Sequence, residues 1–231
     1  MKPFIKAIII FNIIVSFIII SVIASLKYAD YADHKKNSNI VKSYMLENHS
    51  DIDYKLVKTN IGKNAWPTDR IADEFIYYDS GNEFYFNITC SNGNVTDYYD
   101  EAFYGLQIVV DIQKECIVNT QNCMMRGWAL KTSDNQFTDI CLQVVIFIDQ
   151  PEIPHDAFTI YRYLKECYGN ANISFVFAKD NSRDEYEALF RYENKIALSS
   201  LPHFYCCDIN SQNVEITTFE DFLHYINNNN I

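Results

Sequence analysis

A run of 20 uncharged residues near the N-terminus constrains this chain more than any other feature. It extends from Ala7 to Leu26 and follows Lys2 and Lys6. At about 1.5 Å per residue, a helix of this length measures roughly 30 Å, the thickness of the hydrocarbon core of a bilayer. The sequence therefore predicts a membrane-spanning helix over residues 7–26, and no later apolar run is long enough to cross a second time.

The apolar segment could serve either as an uncleaved signal anchor or as a cleaved signal peptide. Its length favours an uncleaved signal anchor, because the apolar core of a cleaved signal peptide has about 7–15 residues. Small residues around Ala24 fit the alternative, which is secretion after cleavage near Ala24. The basic residues before the run favour a cytoplasmic N-terminus and a C-terminal domain outside the cell membrane. Either fate exports residues 27–231.

The exported part is acidic. Because both early lysines precede it, residues 27–231 carry 17 Lys and Arg against 30 Asp and Glu, a formal net charge of −13. A surface of this sign repels nucleic acid and anionic lipid headgroups. We therefore expect no nucleic-acid partner.

The remaining sequence predicts an α+β fold, in which the transmembrane helix precedes a helix-plus-antiparallel-meander unit and a second mixed α/β half. The polar residues 27–38 predict a stalk between the anchor, residues 1–26, and one extracytoplasmic domain, residues 39–231. A stalk that is helical and continuous with the membrane segment is one form of this prediction. The sub-halves of that domain are expected at about 39–115 and 137–231.

Hydrophobic periodicity and turn residues predict the individual elements. Helices are expected at 39–47, from about Thr96, and at 156–168, 183–192 and 219–226. The stripe predicted for the second helix contains Tyr99, Phe103, Leu106 and Val110. Residues 116–136 lack periodicity and predict a loop. Strands are expected at 52–58, 74–78, 83–90, 140–148, 173–178, 196–201 and 204–209.

Seven cysteines lie in the exported part, at positions 90, 116, 123, 141, 167, 206 and 207. Up to three disulfides would leave one thiol free or shared with a partner, and the connectivity stays open. Cys90 and Cys141 lie in apolar runs, where a cysteine commonly serves as a small buried side chain. A bond between Cys116 and Cys123 would close the predicted loop.

One segment concentrates metal-binding side chains: His203, Cys206, Cys207 and Asp208. Zinc ligands normally come as two spaced pairs, and this chain has no matching second pair. The favoured interpretation is therefore a strand with buried or disulfide-bonded cysteines, without a metal or cofactor. A cysteine nucleophile would need a base, for which Cys141 with His155 or His203 is the available combination.

Aromatic residues are abundant, with 17 Tyr and 16 Phe. Exposed rings on a sheet stack on sugars or build protein interfaces. Alternation places Tyr85 on the face opposite Phe84 and Phe86, and Tyr77 lies in the neighbouring strand. Tyr77 and Tyr85 are therefore the candidate binding residues.

Residues 40–115 resemble a loose family of uncharacterised exported or membrane-anchored small α+β proteins of low-GC Gram-positive bacteria. The resemblance lies in the order of four short segments: Tyr44-Met45-Leu46-Glu47, Tyr54-Lys55-Leu56-Val57, Phe84-Tyr85-Phe86-Asn87-Ile88 and Asp97-Tyr98-Tyr99. It implies location and topology, and no catalytic residues. This chain departs from the lipoprotein members because no cysteine directly follows the apolar run.

Two functions follow as hypotheses. The first is a membrane-tethered, non-enzymatic module that binds a protein or a cell-envelope polymer through its sheet or the 116–136 loop. The alternative is an envelope hydrolase or a thiol- or metal-dependent enzyme that uses Cys and His groups of the C-terminal half.

Overall fold

A computed structural model describes residues 3–62, 71–116, 122–169, 171–192, 201–211 and 214–230. These residues confirm the α+β class: a long apolar N-terminal helix precedes an antiparallel four-stranded sheet and a second, mixed four-stranded sheet. The helices are α1 (Pro3–Asn48), α2 (Tyr99–Glu115), α3 (His155–Tyr168), α4 (Arg183–Tyr192) and α5 (Phe219–Asn228). The first sheet contains β1 (Tyr54–Asn60), β2 (Asp73–Asp79), β3 (Phe84–Ser91) and β4 (Asn94–Asp97). The second contains β5 (Cys123–Lys131), β6 (Phe137–Ile148), β7 (Ala171–Lys179) and β8 (His203–Asn210).

The chain divides into two compact units. The first comprises Met1–Gly81 and Asn87–Asp97, and the second comprises Asn82–Phe86 and Tyr98–Ile231.

Helix α1 of the first unit is continuous from the apolar run to Asn48. No glycine lies within it and its only proline is Pro3 at its start, so nothing in the sequence interrupts its backbone hydrogen bonds. The segment predicted as a stalk is therefore helical, and the separate helix predicted at 39–47 is the last part of α1. Buried side chains of this part, Val41 and Met45, join the core of the first unit with Phe75, Ile88 and Cys90 of the sheet.

A short hairpin ends the first sheet. Asn92 and Gly93 have φ angles of 52° and 85°, which suit the two-residue turn between β3 and β4. The turn agrees with the sequence prediction, but the helix expected from Thr96 begins only at Tyr99, because Asn94–Asp97 pairs with β3.

Helix α2 buries a different face from the predicted one. Its buried residues are Gly105, Ile108, Val109 and Ile112, whereas Val110 is exposed. Gly105 lies directly against Gly127 of β5 and thereby sets the contact face.

The second sheet has the order β5-β6-β7-β8. Strands β6 and β7 are parallel and are connected through α3, whereas β5 and β8 are antiparallel to their neighbours. The loop predicted at 116–136 is wrong for Cys123–Lys131, which forms β5. The strand predicted at 196–201 lies, apart from Leu201, outside the described residues.

Candidate functional site

The two faces of the second sheet differ in their covering. Neighbouring residues of a strand point to opposite sides. On one side, residues such as Leu142, Val144 and Phe175 form the main core with α2, α3 and α5. The opposite side carries a smaller apolar cluster in which Tyr186 of α4 joins residues of three strands: Val145, Phe147, Val176, Ala178 and Cys206.

The part of this second face beyond the α4 cluster is polar. The strand register aligns Arg126, Gln143, Ser174 and Asp208 in one row across all four strands. The next row contains Trp128, Cys141, Asn172 and Asn210. These eight side chains constitute the polar platform.

Hydrogen bonds connect the platform residues along their rows. Nη2 of Arg126 donates to Oε1 of Gln143 at 2.8 Å. The hydroxyl of Ser174 donates to Oδ1 of Asp208 at 2.5 Å. In the second row, Nδ2 of Asn210 donates to Oδ1 of Asn172 at 2.7 Å. Such cross-strand bonds restrict the rotamers of the side chains and hold the platform in one arrangement.

The two charged groups of the platform lie on opposite edge strands, and the aromatic ring lies beside the cation. Arg126 and Asp208 lie on the two edge strands, about 14 Å apart if neighbouring strands are about 4.8 Å apart. Amide and hydroxyl groups occupy the strands between them. The Arg126 guanidinium carbon lies 6.0 Å from the centre of the Trp128 ring. The platform therefore offers one cation, one anion, one indole ring and several neutral hydrogen-bonding groups.

Cys141 is the thiol within the platform, and its surroundings disfavour nucleophilic chemistry. Burial raises its pKa, although a hydrogen bond with Asn172 acts in the opposite direction. On β7, Cys141 pairs with Asn172, and His203 pairs with Ala178, which lies six residues farther along the strand. The side chains of Cys141 and His203 are therefore about 20 Å apart. His155 lies on the other side of the sheet, where its ring contacts Phe158 and Phe219. Neither histidine can act as a base for this thiol.

The four candidate metal ligands do not converge. Cys206 lies in the α4 cluster, whereas its neighbour Cys207 lies in the main core on the opposite side. Nδ1 of His203 donates to the carbonyl oxygen of Leu201 at 2.7 Å. Among the described residues, no three His, Cys, Asp or Glu side chains form a group that could hold a metal ion.

The thiols of this strand are protonated at neutral pH. Burial and the nearby Asp208 carboxylate raise the pKa of Cys206 to about 11 and that of Cys207 to about 12. All seven cysteines are free thiols in the structure. Since the thiolate is the reactive form, neither cysteine is prepared for nucleophilic or metal chemistry.

The two candidate tyrosines differ in accessibility. Tyr77 is only 3% exposed, and its ring packs edge-on against Tyr54 at 5.6 Å. A ligand cannot stack on such a ring. Tyr85 is partly exposed, whereas Phe84 and Phe86 on the opposite side are buried, as alternation predicted. Binding through Tyr85 stays a prediction.

The polar platform was not among the residues singled out from the sequence, although a signal for it exists. Each strand carries its two platform residues two positions apart: 126 and 128, 141 and 143, 172 and 174, 208 and 210. In β6 and β7 these residues interrupt otherwise apolar runs at the strand period. Their coincidence becomes visible only with the register.

A second polar cluster lies in the first unit, where it attaches α1 to the sheet. The buried carboxylate of Asp73 accepts from Nδ2 of Asn37 and from the backbone N–H of Gly62, both at 2.7 Å, and lies 3.5 Å from Nδ1 of His34. Further along α1, the Asp97 carboxylate is 2.6 Å from Nε2 of His49. These contacts are between core elements, so we assign the cluster a structural role.

Comparisons with known proteins give one distant likeness. No protein-family model matches the sequence, and no curated protein matches it. A solved structure of a DUF5037 family protein from Ruminococcus gnavus resembles the chain with a TM-score of 0.46 and 14% identity. The alignment covers 69% of this chain and 82% of the other. That organism is a low-GC Gram-positive bacterium. A likeness at this level assigns no function.

Proposed function

We propose that this protein is a membrane-tethered, non-enzymatic module whose polar platform binds a polymer of the cell envelope. The platform carries this proposal. Its two rows cross every strand of the second sheet, beside the apolar cluster that α4 covers. Gln143 is buried, whereas the other platform side chains are partly or fully exposed and provide several hydrogen-bonding groups on one surface.

The tether rests on α1. Within the described part of the chain, it is the helix that is long and apolar enough to cross a membrane, and its apolar window has a mean hydropathy of 2.0. Lys2 and Lys6 favour an N-terminus in the cytoplasm. The alternative is a secreted protein cleaved near Ala24. Carbonate extraction of membranes tests the tether, and protease treatment of intact cells tests the outward orientation of the C-terminal domain.

The chemistry of the platform favours a neutral, polyhydroxylated ligand. Arg126 and Asp208 balance each other, so the platform has no net charge that would select an ion. Asn172 and Asn210 present amide groups that both donate and accept hydrogen bonds, as hydroxyl groups require. Trp128 provides an apolar ring beside these groups. A width of about 14 Å suits a chain of several sugar units rather than a single one.

Binding of soluble polysaccharides tests the proposal. We expect the purified full-length protein in detergent to retain at least one of a panel of β-glucans, mannans and peptidoglycan fragments on affinity electrophoresis. Trp128→Ala and Asn172→Ala should each reduce the affinity at least ten-fold. Leu130→Ala is the matched control, because Leu130 is exposed on the same strand but lies outside the platform.

Three results would count against a glycan platform. The first is that no polysaccharide binds. The second is that the control variant loses as much affinity as Trp128→Ala. The third is that the platform variants abolish capture of a protein while the polysaccharides have no effect, which would replace the polymer with a protein partner. Thermal unfolding of each variant verifies that the fold is retained.

A further inference from the structure

The contacts of α1 define which end of the first unit lies near the membrane. His34 and Asn37 contact Asp73 at the start of β2, and Asn37 also donates to the carbonyl oxygen of Cys90 near the end of β3. Farther along α1, Tyr44 and His49 contact Asp97 at the end of β4. The strand ends at Asp73 and Cys90 are therefore the ends closer to the apolar run.

Strand β1 has the same orientation. Its residue Asn60 pairs with Glu74, whereas Tyr54 pairs with Asp79 at the far end. The chain leaves β1 toward the membrane through Ile61 and Gly62, and it enters β2 from the same side through Ile71. A Cβ added to Gly62 would overlap the carbonyl oxygen of Ile71, which shows that the two chain segments touch.

Two isoleucines are exposed at this end. Ile61 is 48% exposed and Ile71 is 60% exposed. On the helix, Tyr28 and Tyr31 are also exposed just beyond the apolar run. Tyrosine is enriched where a membrane-spanning helix leaves the hydrocarbon core. Exposed apolar and aromatic side chains thus occur both at this end of the sheet and on α1 just beyond the apolar run.

The distances place Ile71 at the headgroup layer. Leu26 and His34 are eight residues apart, or about 12 Å along a helix. Asp73 lies at the level of His34, and Ile71 precedes it by two residues, so extended chain brings Ile71 up to about 7 Å closer to the bilayer. The headgroup layer of one leaflet is about 5–8 Å thick. Ile71 therefore lies within reach of it.

We propose that Ile71 inserts into the lipid headgroup layer, so that the first unit rests directly on the membrane. This inference depends on the proposed membrane tether and is independent of the polar platform. The occupant of the apolar end is phospholipid, because α1 brings that end to the bilayer surface. The membrane thereby covers the side chain of Ile71, which is 60% exposed in the protein.

Photo-crosslinking of the full-length protein in phosphatidylcholine vesicles tests the proposal. Benzoylphenylalanine is introduced singly at Ile71, Leu56 or Phe17, and lipid adducts are measured by mass spectrometry after irradiation. Leu56 is the matched control, because it is also exposed, at 40%. It precedes Ile61 by five residues along β1, which places it about 17 Å farther from the bilayer than Ile61. Phe17, which is exposed on α1, reports the membrane span itself.

We expect lipid adducts at Phe17 and Ile71, with at least ten-fold fewer at Leu56. Adducts at Phe17 without adducts at Ile71 would overturn the contact and leave the tether intact. An adduct yield at Leu56 equal to that at Ile71 would also overturn the contact, because it would show that lipid reaches β1 at any distance from the bilayer. An absence of adducts at Phe17 would overturn the tether and, with it, this contact.

Discussion

Replacing Gly105 with alanine is expected to force helix α2 away from strand β5. A Cβ added to Gly105 would lie 2.0 Å from the carbonyl oxygen of Gly127 and 2.5 Å from the backbone nitrogen of Trp128. Real Cβ atoms essentially never approach other atoms closer than 3.0 Å. Both obstacles are backbone atoms, which cannot rotate aside as side chains do. Gly105→Ala must therefore separate the helix from the strand by about 1 Å.

That separation weakens the packing of three buried side chains on α2, those of Ile108, Val109 and Ile112. A gap of 0.5–1 Å removes about a quarter to a half of the dispersion energy between facing atoms. Burial of the three side chains contributes roughly 6 kcal/mol in total, so the loss is about 3 kcal/mol. Alanine returns about 1 kcal/mol through its higher helix propensity. The net destabilisation is about 2 kcal/mol, within the range for overpacked sites.

Thermal unfolding of the purified variant measures this loss. A change of about 2 kcal/mol corresponds to a decrease in Tm of roughly 4–8 °C in a chain of this size. Gly81→Ala is the control, because a Cβ there meets only a side-chain oxygen of Asp79, at 3.3 Å. We expect that variant to unfold within about 2 °C of the wild type. A Gly105→Ala protein as stable as the wild type would refute the close contact between α2 and β5.

Two further predictions concern the first unit. Asp73→Ala removes the acceptor of the Asn37 amide and of the Gly62 N–H. It should lower the free energy of urea unfolding by about 3 kcal/mol, since each buried donor left unpaired costs about 1–3 kcal/mol. Asp73→Asn keeps one acceptor and should lose less stability, and equal losses in the two variants would contradict this account. Burial raises the pKa of Tyr77 to about 12 from about 10 in the unfolded chain, so its contribution to stability is complete below pH 10 and is lost as the pH rises toward 12. The free energy of unfolding of Tyr77→Phe, measured by urea titration between pH 9 and 11.5, should fall less steeply with pH than that of the wild type. An equally steep fall in both proteins would argue against a buried phenol.

Local signals predicted most elements of the fold. Strands β2 and β3 agree with prediction to within one residue at each end, because alternating or continuous apolar residues flank a turn with Gly81. Strand β5 was missed since Arg126, Gly127 and Lys131 obscure its alternation. It is a strand because β6 supplies hydrogen-bond partners along its length. A short sequence window contains no information about that partner.

The candidate site was hidden for a related reason. Adjacent metal-binding residues attract notice in a sequence, yet Cys206 and Cys207 occupy opposite faces because β8 is extended. Conversely, Arg126 and Asp208 are far apart in the sequence and share one row. Strand register converts distant positions into neighbours, and it depends on pairings that join β5 to β6, β6 to β7 and β7 to β8.

The sequence of α1 changes from apolar to polar after Leu26, but its backbone continues as one helix to Asn48. The apolar run ends at Leu26, and His34 lies 3.5 Å from Asp73 of the sheet, so the helix between Leu26 and His34 is about 12 Å long. Contacts at Asp73 and Asp97 attach α1 at two points along its length. Two attachments prevent the first sheet from rotating about the helix, and no glycine or proline between them permits a bend. The direction of the apolar segment therefore fixes the orientation of the first sheet relative to that segment, and with the proposed tether it would fix the orientation of the sheet at the membrane.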